Sequence, residues 1–246
     1  MALVSGTERV VTLASWGRVK GRKMRPGRAA LFDRLLPPIT IKLERDNAGT
    51  VKLLDLTKIF GKDVQEIWLE VGFGGGEHLM DCARKNPEVG VIGCEPFLEG
   101  VGKLLSRINT HQPQNIRIFP GDVRVLLSAL PPACLAKVFV LFPDPWPKKR
   151  HHKRRLFQQS FIEILADSMA SDAHVIVSTD HVEYARWILN LILQTMSFSW
   201  QPKTAKDWRC RPLGTLATRY EAKAQTEGRR IIYLKFRRTN KQAALT

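Results

Sequence analysis

The sequence predicts an α/β domain built on a doubly wound, mostly parallel sheet and preceded by a basic N-terminal arm. Three observations carry this reading. From about residue 65, short β-rich runs alternate with amphipathic helical stretches, the signature of successive βα units. The first of these strands ends in a glycine-rich turn, at the edge where such sheets bind ligands. Hydrophobic residues make up 44% of the 246, enough to fill one core.

Taken in order, the β-branched run at 67–71 predicts a strand and 77–85 a helix. A strand at 89–95 leads to a helix at 97–108. A strand at 116–119 stops before Gly121-Asp122 and is followed by a short helix at 123–130. A strand at 138–142 follows. Phe157, Phe161, Ile164, Leu165 and Ser168, spaced by three and four, predict a helix over 154–169. A strand at 174–178, a helix at 182–194 and a late strand at 231–236 complete the pattern. Two regions fall outside it. Residues 1–40 read as the arm, with a helix near 29–36 stopped by Pro37-Pro38. Residues 198–220 read as a loop insertion, so that 41–246 forms a single domain.

A formal charge of +16 and a pI near 10.1 favour polyanionic partners, nucleic acid first and anionic membrane second. The cations cluster. One cluster holds Arg9, Arg18, Lys20, Arg22, Lys23, Arg25 and Arg28, and another fills 148–155. The third contains Lys223, Arg229, Arg230, Lys235, Arg237, Arg238 and Lys241. Cys82, Cys94, Cys134 and Cys210 have no zinc-ligand spacing and read as reduced thiols of a cytosolic protein. No apolar run reaches membrane length. The Arg-rich arm also fits an organellar transit peptide.

The glycine turn carries chemistry. Glu70 precedes Gly72, Gly74, Gly75 and Gly76, while Glu95 ends the next strand and Asp122 the third. A carboxylate at the second strand end accepts from both hydroxyls of a ribose, in nicotinamide and in S-adenosylmethionine enzymes alike. Glu77 stands where the dinucleotide fingerprint wants its third glycine, and an acid beside a pyrophosphate is unfavourable. The sulfonium and ammonium of S-adenosylmethionine suit these acids.

The strand at 138–142 delivers Asp144 to the same edge, within F-P-D-P-W. Pro143 and Pro145 stiffen the loop, and Trp146 offers a flat surface to a base. Asp180 follows the strand at 174–178. His151-His152 is a poor metal site amid its cations, and no metal is expected. Phe198, Trp200 and Trp208 read as packing, and Trp187 as core.

With these residues in view, the chain resembles the bacterial-type tRNA (guanine-N7-)-methyltransferases over about 15–238. The matching stretches are L-E-V-G-F-G-G-G at 69–76, G-C-E at 93–95, G-D at 121–122 and F-P-D-P-W-P-K-K-R-H-H-K-R-R at 142–155. S-T-D-H-V-E-Y-A at 178–185, T-R-Y-E at 218–221 and G-R-K-M at 21–24 also match. The last makes the arm part of the family pattern rather than a transit peptide. The resemblance implies a class I S-adenosylmethionine-dependent methyltransferase with a Rossmann-like seven-stranded sheet. It implies methyl transfer to N7 of guanine 46 in the tRNA variable loop. Glu70, Gly72, Gly74, Glu95, Asp122 and Asp144 would bind the donor, with Asp144 also catalytic. Lys148, Asp180, Thr218, Arg219, Tyr220 and Glu221 would contact the substrate, and Arg150, Lys153, Arg154 and Arg155 the RNA. Pro147 replaces a His common in the family, and Arg219-Tyr220 a commoner Lys-Phe. The protein is expected in the cytoplasm as a monomer or homodimer, without membrane or metal. Competing readings are an aminomethyltransferase, which wants N/D-P-P-aromatic, and a catalytically silent RNA-binding protein.

Overall fold

A computed structural model describes residues 26–213 and 215–239. Most of the first basic cluster, the G-R-K-M match and Lys241 lie outside the described residues. Strands β1 (Glu66–Val71), β2 (Val89–Cys94), β3 (Ile116–Phe119), β4 (Leu135–Leu141), β5 (Met169–Thr179), β6 (Phe198–Ser199) and β7 (Ile232–Arg238) form a seven-stranded sheet. Its order is β3-β2-β1-β4-β5-β7-β6, and β7 runs antiparallel to both its neighbours. The strand order reverses between β1 and β4, so their C-terminal ends open a crevice there.

Alternate side chains feed two cores. Leu69, Val138, Val140, Val175 and Val177 face one layer, and Trp68, Phe139 and Ile176 the other. The first layer is closed by α5 (Val123–Leu127), α6 (Gln159–Ser168) and α7 (Val182–Leu193). The second is closed by α3 (Glu77–Lys85) and α4 (Leu98–His111), with α1 (Pro26–Ile39) packed through Leu31, Phe32, Leu35, Leu36 and Ile39. The short α2 (Leu56–Phe60) starts at the Asp55 cap.

Three expectations are corrected. Pro37 and Pro38 sit inside the last turn of α1 rather than stopping it at Leu36. The prolines cost the bonds that N–H groups there would make to the carbonyls four residues back, and Thr40 Oγ1 donates to the Leu36 carbonyl, one of those left unpaired at the helix end, at 2.7 Å. The helix expected over 154–169 divides into a 3-10 turn, Lys149–Arg154, and α6, with an extended joint at Arg155. The region 198–220 is not all loop. It contains β6, α8 (Lys206–Arg209) and the start of α9 (Arg219–Thr226), elements too short or too polar to show periodicity.

Candidate active site

The turn after β1 places Gly72, Gly74 and Gly76 at φ of 70°, 55° and 72°, a region that a Cβ disfavours. Glu95, just past β2, holds the turn in place. Its Oε2 accepts from the Gly74 N–H at 2.8 Å and its Oε1 from the Phe97 N–H at 2.9 Å. Each oxygen keeps a lone pair, which suits a ribose diol. Burial raises the Glu95 pKa. The two N–H groups oppose the rise, and the charges of Asp144 and Glu70 add to it. The three carboxylates stand at or just past the C-terminal ends of β1, β2 and β4, which lie side by side.

The charge expected from Glu70 is modified by a partner that sequence reasoning missed. Glu70 is 4% exposed, and its Oε2 lies 2.9 Å from Nδ1 of the equally buried His78 on α3. Burial by itself would lower the His78 pKa. The Glu70 charge and hydrogen bond, with Cys82 alongside, outweigh it and raise the imidazole to about 10. Glu70 is therefore balanced, leaving Glu95 and Asp144 as the uncompensated acids. A raised histidine stabilises the fold fully below its unfolded value of 6.5. That contribution is lost as pH climbs through about 10. Thermal unfolding of the native chain is therefore expected to show a decline in Tm over this window that His78→Gln lacks. Parallel Tm curves for the two would contradict the assignment.

Arg107 of α4 was also missed. It donates to the Gly75 carbonyl at 3.0 Å and to Glu77 Oε1 at 2.8 Å, tying the glycine turn to the helix behind it. Asp122 caps α5, and both its oxygens are held by the Arg124 guanidinium, at 2.9 and 2.6 Å. Burial would raise the Asp122 pKa, but the Arg124 bonds hold it below the ordinary value.

Asp144 projects from the loop after β4 between two strained residues, Phe142 at φ 55° and Trp146 at φ 43°. Its carboxylate is exposed at the crevice and has no hydrogen bond or ion pair with another described residue. Partial desolvation by the surrounding loop still raises its pKa. Asp180 lies between β5 and the N-cap of α7. Its neighbours are fixed by the His181 N–H bond to Thr179 Oγ1 and the Tyr184 N–H bond to His181 Nδ1, both 3.2 Å. Arg229 pairs with Asp180 Oδ2 at 3.0 Å, and Glu227 holds Arg229 in turn.

The run 218–221 caps and opens α9 over the same edge. Arg219 and Tyr220 come within 3.6 Å of the position a Cβ on Gly74 would take. The Tyr220 ring, 45% exposed, stacks on Phe142 at 6.3 Å between centroids. Thr218 Oγ1 accepts from the Glu221 N–H, so its role is at least partly to start the helix. Glu221, expected as a substrate contact, is buried and paired within the protein. It is 3% exposed, accepts from the Tyr233 hydroxyl at 2.8 Å and pairs with Arg211 at 3.1 Å, a brace beneath Tyr220.

The basic run 148–155 divides in the same way. Lys148, Lys149, Arg150 and Lys153 are exposed, and Arg154 lies 5.0 Å over the Trp146 ring. Arg155, expected at the RNA, has a side chain that is 0% exposed. It is enclosed by Pro145, Glu183, Tyr184 and Trp187. No group of three or more metal-ligating side chains occurs among the described residues. Nor is any described helix long and apolar enough to cross a membrane.

The seven-stranded architecture recurs in solved structures. A 16S rRNA methyltransferase, KamB, superposes with a TM-score of 0.55 at 15% identity, covering 80% of this chain and 95% of that one. The 16S rRNA (adenine(1408)-N(1))-methyltransferase of Catenulisporales acidiphilia gives 0.52 at 15% identity, covering 81% and 98%. At this identity the likeness concerns the fold, which is that of class I S-adenosylmethionine-dependent methyltransferases. A family model described as "Putative methyltransferase" matches residues 64–234. The tRNA (guanine-N(7)-)-methyltransferase of Rhodospirillum rubrum is 45% identical over 93% of this chain and 89% of its own length. The protein of that description from Ruegeria pomeroyi is 42% identical over 91% and 93%. Relatives of that description are thus 42–45% identical to this chain over about nine-tenths of both sequences, and the chain belongs to the tRNA (guanine-N(7)-)-methyltransferase family.

Proposed function

We propose that this protein methylates N7 of guanine 46 in the tRNA variable loop, using S-adenosylmethionine. The observation that carries the reading is the convergence of Glu95 and Asp144, beside the neutralised Glu70–His78 pair, on a glycine turn. This donor set fits a cationic, phosphate-free ligand and disfavours a pyrophosphate. Glu95 would hold the ribose, Gly72 and Gly74 would admit the donor closely, and Asp122 would lie toward the adenine. Bound S-adenosylmethionine supplies an electrophilic methyl group on a cationic sulfur.

Guanine N7 presents an in-plane lone pair, so no proton has to leave before it attacks. The residues therefore need to align the base and accommodate its growing positive charge. Asp144 is suited to both, being charged and without an internal partner. Asp180 retains Oδ1 for a guanine N–H while Arg229 holds Oδ2. Arg219 and Tyr220 roof the crevice, and Lys148 faces the incoming RNA. Arg150, Lys153 and Arg154 lie along the phosphate path. Residues 1–40 would act as a basic arm on the 41–246 domain, in a cytoplasmic monomer or homodimer.

The test is transfer of labelled methyl from S-adenosylmethionine to unmodified tRNA transcripts, followed by aniline cleavage at 7-methylguanosine. Cleavage at the variable-loop guanine is expected. Methyl incorporation without aniline cleavage would instead indicate an exocyclic amine as the acceptor.

A further inference from the structure

The geometry points to Arg155 as the residue that positions the P-D-P-W loop, and with it Asp144, through an ion pair with Glu183 on α7. This rests on the methyl-transfer reading above and concerns a residue that touches neither RNA nor donor. The Arg155 Nε–H donates to the Pro145 carbonyl, next in sequence to Asp144, at 2.9 Å. Its Nη1 and Nη2 donate to Glu183 Oε1 and Oε2 at 3.1 and 2.6 Å, a bidentate pair. The guanidinium lies 5.0 Å from the Tyr184 ring centre and 4.9 Å from that of Trp187, within cation–π range of both.

This arrangement has a local origin. The 3-10 turn ends at Arg154, and Arg155 takes φ −58° and ψ 139°. The extended joint turns its side chain inward while its neighbours in the run stay outward or partly exposed. The turn is secured by the Arg155 N–H bond to the His152 carbonyl at 3.1 Å. Gln158 Nε2 bridges the His152 and Arg155 carbonyls, at 2.8 and 3.2 Å. The loop being held contains the strained Trp146, a conformation that persists only under outside constraint. Lysine preserves the charge but lacks the planar fork needed to reach Pro145 and both Glu183 oxygens together. A slip of about 1 Å at a reacting group can cost on the order of 10²-fold in rate.

The experiment compares Arg155→Lys, Glu183→Gln and the double variant with Arg150→Ala/Lys153→Ala, using aniline-detected methylation under single-turnover conditions. Wild-type enzyme is assayed first; if it makes no 7-methylguanosine, the functional reading fails independently of this inference. Arg155→Lys is expected to lower the methyl-transfer rate by roughly 10–100-fold, with tRNA affinity and its salt dependence unchanged. Glu183→Gln leaves Arg155 in place and is expected to show a smaller loss of the same kind, with the double variant less than additive. Arg150→Ala/Lys153→Ala is expected to do the reverse, weakening tRNA binding and reducing the salt slope by about 0.7–0.9 per lost phosphate contact. A reduced salt slope for Arg155→Lys would overturn the inference in favour of RNA contact. A lowered Tm with an unchanged rate in Arg155→Lys or Glu183→Gln would overturn it in favour of a purely structural role.

Discussion

Asp144→Asn is expected to lower the single-turnover rate of methyl transfer by roughly 10²–10³-fold, the scale for losing one preorganised charged group. The amide keeps the shape and hydrogen-bonding reach of the carboxylate but not its charge. The comparison therefore isolates electrostatics from packing. Asp144 is the natural residue for so large an effect because no described cation or N–H neutralises it. Asp122, by contrast, is satisfied by Arg124, and Glu70 by His78. Positive charge grows on the purine as N7 takes the methyl group, and an unpaired carboxylate held against the ring stabilises that state more than the neutral base. Asp144→Asn should therefore leave tRNA affinity within a fewfold of wild type. The pH–rate profile adds a second reading. Partial desolvation raises the Asp144 pKa, so the acid limb should lie above the ordinary aspartate value of 3.8, with activity rising as the group ionises. A near-normal rate in Asp144→Asn would remove this residue from the chemistry.

What the sequence made legible follows the range of the forces involved. The sheet and its helices were readable because each is set by local periodicity. The helix at 77–85 and the strand at 116–119 match the structure at both ends. The carboxylates at strand ends were readable because a doubly wound sheet puts those ends on one edge. Their partners were not, because pairing across the fold leaves no spacing signal. His78 meets Glu70 from the following helix, Arg107 reaches the glycine turn from α4, and Arg229 meets Asp180 from beyond α9. Arg155 is the sharpest case. In the sequence it is one cation in a basic run, and only the break between the 3-10 turn and α6 turns it into the interior. Glu221 differs in degree, since T-x-x-E spells a helix-start pattern. The Thr218 half of that pattern is realised, while the carboxylate goes to Tyr233 and Arg211.

The same long-range packing underlies the second large effect, at a residue that carries no functional group. Gly100→Ala is expected to weaken S-adenosylmethionine binding by at least about tenfold, measured by calorimetry on the purified chain. By propensity alone the change should help, since alanine in a helix interior is favoured over glycine by about 1 kcal/mol. Here the first turn of α4 presses against the glycine turn. A Cβ at Gly100 would lie 2.4 Å from the Gly74 carbonyl oxygen and 3.3 Å from Glu95 Cγ. The first is backbone and cannot rotate away, so either α4 or the turn must move, at a cost of about 1–3 kcal/mol for overpacking. Moving the turn strains the Gly74 N–H bond to Glu95 Oε2, and with it the carboxylate proposed to hold the ribose. Gly102→Ala is the matched control on the same helix. Its Cβ would meet the Arg28 and Phe32 side chains at 2.7 and 3.0 Å, on the α1 side and away from the crevice. Arg28 can swing aside, so donor affinity should stay within a fewfold of wild type. Equal affinities for the two variants would mean that the close approach of α4 does not shape the donor site. Weakening confined to Gly100→Ala would show that a missing side chain in α4 sets the position of Glu95.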